Sequence, residues 1–73
     1  MADFKERLRC LRIEKAVTQK EIGKVINVSD AAIRFYEAGK REPTIKGLIA
    51  LSEFFGVSID YLVGADDVPN RRK

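Results

Sequence analysis

The sequence predicts an all-α fold of five short helices in one domain. Three features point to it. Apolar residues recur at three- and four-residue intervals, a Ser or Thr stands ahead of most apolar stretches (Thr18, Ser29, Thr44, Ser58), and an Asn or Gly follows most of them (Asn27, Gly39, Gly56, Gly64). A chain of 73 residues allows a single small core and leaves little room for a large enclosed active site. An apolar fraction of 45% argues against disorder. A net charge of +3 is compatible with a polyanionic partner without singling one out. Cys10 is the only cysteine and has no internal disulfide partner. No stretch has the length of a membrane span or the pattern of a secretory signal, so a reduced, cytoplasmic setting is the default expectation.

The first helix is expected from about Asp3 to Lys15, with Phe4, Leu8 and Leu11 on one buried stripe and Lys5, Arg7, Arg9 and Glu14 on other faces. Arg7 and Arg9 are expected to face solvent, and Cys10, off the centre of the stripe, to be a partly buried thiol. With no His and no second Cys, neither a zinc site nor a Cys/His nucleophile can be assembled. The second helix opens at Thr18, which with Glu21 forms a Thr-x-x-Glu capping box, and Ile22, Val25 and Ile26 supply its inner face. Gly23 costs about 1 kcal/mol relative to Ala in mid-helix, which calls for a compensating close approach by the third helix. Asn27 tolerates the left-handed conformation that stops a helix, Val28 returns to the core, and Ser29 caps the third helix.

The third helix is expected from about Asp30 to Ala38, with Ile33 and Tyr36 inward, Asp30, Ala31, Arg34 and Phe35 directed elsewhere, and Gly39 ending it. A polar loop through Lys40, Arg41, Glu42 and Pro43 leads to Thr44 and a fourth helix whose inner face is Ile45, Leu48, Leu51 and Phe55. Gly56 ends that helix. Ser58 caps a short fifth helix carrying Ile59, Tyr61 and Leu62, and Gly64 closes the folded region at residues 1–64. The remainder, 65–73, holds Pro69 and ends Arg71-Arg72-Lys73, which reads as a flexible tail or the start of a linker. Residues 18–39 thus form two short helices joined by a tight turn, the arrangement by which a small domain sets one helix in the DNA major groove.

Several ordered features now converge: Leu8 and Leu11-Arg12, Thr18-Gln19, the turn Asn27-Val28-Ser29, Ile33, Tyr36-Glu37 with Gly39-Lys40-Arg41-Glu42-Pro43, and Leu51 through Gly56-Val57-Ser58. Through them, residues 4–64 resemble the Cro and phage-repressor type of helix-turn-helix domain, the Xre family of transcriptional regulators. The resemblance implies a compact five-helix, lambda-repressor-like DNA-binding domain with the helix-turn-helix at its second and third helices. It also implies a prokaryotic or phage setting and no cofactor.

By the same resemblance, Gln19 matches a glutamine that contacts a backbone phosphate and braces the recognition helix, and Arg12 and Glu37 match a partly buried salt bridge. Side chains implied to meet base edges are Ser29, Asp30, Ala31, Arg34 and Phe35. Asp30 can accept from a cytosine amino group, Ala31 and Phe35 can touch a thymine methyl, and Arg34 can reach guanine or phosphate or remain a solvated charge. Asp30 also suits the positive end of the helix dipole. Lys20, Lys24, Lys40, Arg41 and Lys46 are the remaining candidates for phosphate contact. A homodimer on two half-sites is expected, with Phe54, Val57, Tyr61 and Val63 as its candidate face or, alternatively, as part of the core.

The function implied is a sequence-specific regulator of transcription, a repressor on a palindromic operator. A protein-interaction module on the same fold, holding a regulatory partner, is an alternative, as is the DNA-tethering part of a longer chain. An enzyme is not expected, because no phosphate-cradling glycine loop, His or paired acids in a predictable pocket are present.

Overall fold

The structure is a computed structural model that describes residues 3–69. Its five helices are α1 (Phe4–Lys15), α2 (Gln19–Ile26), α3 (Asp30–Glu37), α4 (Ile45–Phe55) and α5 (Ile59–Leu62). A side chain closes the first turn of each. Asp3 accepts from the Glu6 N–H at 3.2 Å, Thr18 from Glu21 at 3.0 Å, Ser29 from Ala32 at 3.1 Å, Thr44 from Gly47 at 3.1 Å and Ser58 from Tyr61 at 3.0 Å. These bonds satisfy donors that a helix start otherwise leaves open. At α2 the Glu21 carboxylate also accepts from the Thr18 N–H, completing the capping box. That backbone bond, more than any other interaction, holds the Glu21 carboxyl below the ordinary carboxylate range.

All five helices stop in the same way; in α3 and α5 the left-handed residues are Gly39 (φ 76°) and Gly64 (φ 84°), with Lys40 donating to the Phe35 carbonyl and Ala65 to that of Asp60. Ala16, Asn27 and Gly56 take left-handed backbone conformations (φ 57°, 59° and 68°), and the valine after each donates its N–H five residues back: Val17 to Arg12, Val28 to Gly23 and Val57 to Ser52. This is the Schellman arrangement, in which the second residue beyond the helix folds its apolar side chain back onto the last turn. Val57 is buried and Val17 and Val28 pack against the core.

The helices pack in a closed ring, α1 on α3, α3 on α2, α2 on α4, α4 on α5 and α5 on α1. Inside the ring lie five fully buried side chains, one from each helix: Leu8, Ile22, Ile33, Leu51 and Leu62. Each stabilises the fold by about 1.5–3 kcal/mol through removal of apolar surface from water.

Several expectations need correcting. Val25 is 41% exposed and Ile45 is 77% exposed. In α2 the buried arc is centred on Ile22, Gly23 and Ile26, which leaves Val25 about 100° round the helix. Ile45 occupies the first position of α4, whose buried arc is set by Gly47, Leu51 and Ser52. Ile59 is also half out of the core. Cys10 is exposed rather than partly buried. Gly23 does allow a close approach, but the neighbour is the turn itself: a Cβ there would lie 2.6 Å from the Val28 carbonyl oxygen and 3.3 Å from the Ser29 backbone.

Arg7, expected in solvent, is buried. Its guanidinium lies 3.9 Å from the centre of the Tyr61 ring, donates to the Tyr61 and Asp66 carbonyls at 3.2 Å each, and pairs with Asp67 at 2.7 Å. Residues 65–69, read from sequence as the start of a tail, are held there: Ala65 and Asp66 donate to the Asp60 carbonyl and Ser58 donates to that of Pro69. The basic end Arg71 to Lys73 lies outside the described residues. Arg7→Met keeps the apolar stem and removes the donors. Its expected cost is about 1–2 kcal/mol, with faster amide exchange at Ser58 and Asp66. Unchanged protection at those two amides would show that the segment is held without Arg7.

Candidate nucleic-acid interface

The last residue of α3, Glu37, is where three elements are tied together. Arg12 Nε donates to Glu37 Oε2 at 2.6 Å and Arg12 Nη2 to Oε1 at 3.1 Å, a bidentate pair across α1 and α3. Arg12 Nη1 donates to the Val17 carbonyl at 3.2 Å, and Gln19 Nε2, at the first position of α2, donates to Glu37 Oε1 at 3.2 Å. The two charged side chains are 19% and 7% exposed. The hydrogen bond to Glu37, reinforced by its charge and opposed by burial, raises the Arg12 pKa above its already high ordinary value. Orientation of α3 is therefore fixed from both sides by one carboxylate. The amide of Gln19 keeps a second N–H for another acceptor.

Tyr36 and Ile33 anchor α3 inward, and Tyr36 meets the Phe4 ring at 6.3 Å between centroids. Ala32 is buried with them, whereas Ser29, Asp30, Arg34 and Phe35 are exposed and Ala31 is half-buried. The Ser29 hydroxyl oxygen is engaged in its cap. Arg34 is the only cation on α3 and lies 3.7 Å from Asp30, one turn back, with both side chains more than half exposed. A pair in that setting is weak and can exchange partners. Arg41, in the loop after α3, stands 5.1 Å from the centre of the Phe35 ring, a cation–π contact worth about 0.5–1 kcal/mol at an exposed site.

Lys40 and Arg41 lie in the loop after α3, beyond Ala38 and Gly39, Lys46 lies in the first turn of α4, and Lys20 and Lys24 lie on α2; all five are exposed. None forms an ion pair among the described residues. The outer face of α3 is thus sparsely polar, and exposed cations lie on α2, in the loop after α3 and at the start of α4.

The four candidates for a dimer face divide. Val57 is 5% exposed and belongs to the core, because the Schellman turn folds it under α4. The Phe54 ring packs edge-on against Phe55 and has the Lys15 ammonium 4.5 Å from its centre, while Tyr61 is covered by Arg7. Val63 is exposed, as is its neighbour Ile59. Among the described residues no helix is long and apolar enough to cross a membrane.

A family profile described as Helix-turn-helix (HTH_3) matches residues 8–62. The chain is similar to the HTH-type transcriptional activator BcrR of Enterococcus faecalis, 36% identical over 90% of this chain and 32% of the relative. It is also similar to the HTH-type transcriptional regulator ImmR of Bacillus subtilis, 34% identical over 93% of this chain and 54% of the relative. The chain thus spans between about a third and a half of the length of these relatives. Among solved structures, the P22 c2 repressor in complex with a synthetic operator superposes with a TM-score of 0.84 at 35% identity, covering 90% of this chain and all of that one.

Proposed function

The chain belongs to the helix-turn-helix family of the Cro and phage-repressor (Xre) type, and from that membership we propose that it is a sequence-specific regulator of transcription that binds double-stranded DNA. In this reading it is a repressor that occupies a palindromic operator as a dimer, in the cytoplasm, with α3 in the major groove. The observation that carries the proposal is the Arg12–Glu37–Gln19 network, which locks the end of α3 against α1 and α2 while leaving Asp30, Arg34 and Phe35 exposed. A helix held this firmly meets a groove without first having to be ordered.

Arg34 reads a guanine edge or an adjacent phosphate, Asp30 disfavours wrong sites by repulsion from phosphates, and Ala31 and Phe35 form an apolar surface for thymine methyls. Gln19, Lys20, Lys24, Lys40, Arg41 and Lys46 anchor the backbone on both sides of the groove. Val63 and Ile59 supply the apolar part of a small dimer contact. Such a contact suits a dimer that assembles on its site.

Selection from random duplex DNA at physiological salt tests this. A two-fold symmetric consensus is expected, and Arg34→Ala is expected to lose roughly tenfold discrimination at one position of each half-site while mixed-sequence binding changes little. Failure of the wild type to enrich any sequence would overturn the reading. The sparsely polar face of α3, with Phe35 exposed beside Ala31, would then favour a protein partner instead.

A further inference from the structure

Helix α1 carries a cation that lies close to the α3 end without being part of the core or, among the described residues, of an ion pair. The stem of Lys5 crosses the backbone at Gly39: a Cβ at that position would lie 3.0 Å from Lys5 Cδ and 3.6 Å from Nζ. Gly39 has φ 76°, so it permits both the turn after α3 and the passage of this side chain. The Lys5 ammonium is thereby held at the first residue of the loop that presents Lys40 and Arg41. Seven residues further along α1, two helical turns and hence on the same face, Arg12 reaches Glu37 at the end of α3. The face of α1 that bears Lys5 is thus the one turned toward the carboxyl end of α3.

Asp3 and Glu42 line the cleft shared by Lys5, Gly39 and Arg41, and neither forms an ion pair with Lys5. Asp3 has one oxygen engaged in the cap of α1. Packing of the alkyl stem over the glycine removes conformational freedom from a long side chain while leaving its charge exposed, which lowers the entropic cost of meeting an anion there.

We infer that Lys5 is a phosphate-binding residue, extending the DNA-backbone contact from the loop after α3 onto α1. The inference rests on the DNA-binding reading above. Lys5 would set register and affinity and read no base.

The test is the salt dependence of binding to a mixed-sequence duplex of about 20 base pairs, followed by fluorescence anisotropy between about 50 and 200 mM salt. Wild type, Lys5→Met and Lys5→Arg would be compared. Lys5→Met is expected to make the slope of log K against log salt shallower by about one and to weaken binding roughly three- to tenfold near 0.1 M salt. The factor should be the same on a selected operator as on the mixed sequence, and Lys5→Arg should retain wild-type slope and affinity. Wild-type binding with an unchanged slope in Lys5→Met would overturn the role of Lys5 and leave the DNA-binding reading standing. Wild type that binds neither duplex would overturn both.

Discussion

Arg12→Ala is expected to destabilise the protein by about 3–5 kcal/mol, the range for removing one partner of a buried ion pair. The size follows from what is left behind. The Glu37 side chain is 7% exposed and would keep only the Gln19 amide as a donor, while the Val17 carbonyl would lose its side-chain donor as well. A domain of this length is stable by only about 4–11 kcal/mol in all, so the loss would remove a large share of its stability. Urea titration against the wild type measures the loss. The paired replacement Arg12→Met with Glu37→Leu is expected to recover most of it, because the penalty lies in the stranded charge. A loss below about 1 kcal/mol for Arg12→Ala would mean that the pair behaves as a solvated surface bridge.

Gly23→Ala is expected to cost about 2–3 kcal/mol net, although Ala restores about 1 kcal/mol of helix propensity. The added Cβ would meet the Val28 carbonyl oxygen at 2.6 Å, and that oxygen belongs to backbone. Relief requires the α2–α3 turn to open, yet Val28 donates to the Gly23 carbonyl at 2.8 Å and resists the opening. Gly23→Val, bulkier and a poorer helix former, should lose more. Because the turn sets the angle between α2 and α3, Gly23→Ala should also weaken operator binding when assayed at temperatures where it is fully folded. Chemical denaturation and operator titration of one preparation separate the two effects. A variant as stable as wild type would show that the turn yields at little cost.

What could be read from sequence and what could not follows from how local each determinant is. Caps and stops are local: Thr18 with Glu21, Asn27 with Val28, and Gly56 lie within a few residues of the turns they make, and each lies where the sequence places it. The Schellman rule that assigns Val28 to the core applies equally to Val57, two residues past α4, whose apolar character first suggested a partner surface. Ala16 was hidden because alanine carries no signal for a left-handed backbone. Val25 and Ile45 sit at the edges of their apolar stripes, where periodicity alone cannot say which edge a neighbouring helix covers. Arg7 is the clearest case of a distant determinant. Its position between Phe4 and Leu11 on the helix placed it beside the stripe, but the carbonyls and ring that receive it lie more than fifty residues away in the chain. The outward set on α3 was legible because it lies opposite the face that Ala32, Ile33 and Tyr36 turn inward. Lys5 was not, since its position depends on a glycine in another helix's exit loop.

The ring of helices around one buried side chain apiece divides the labour of α3 cleanly. Ile33 is that helix's contribution to the centre, and the side chains at 30, 34 and 35 have no part in it. Under the proposed function, folding and recognition thus fall to different letters of the same eight-residue word. Replacement of the side chains at 30, 34 and 35 would therefore change what α3 presents to a partner while leaving the centre around Ile33 untouched.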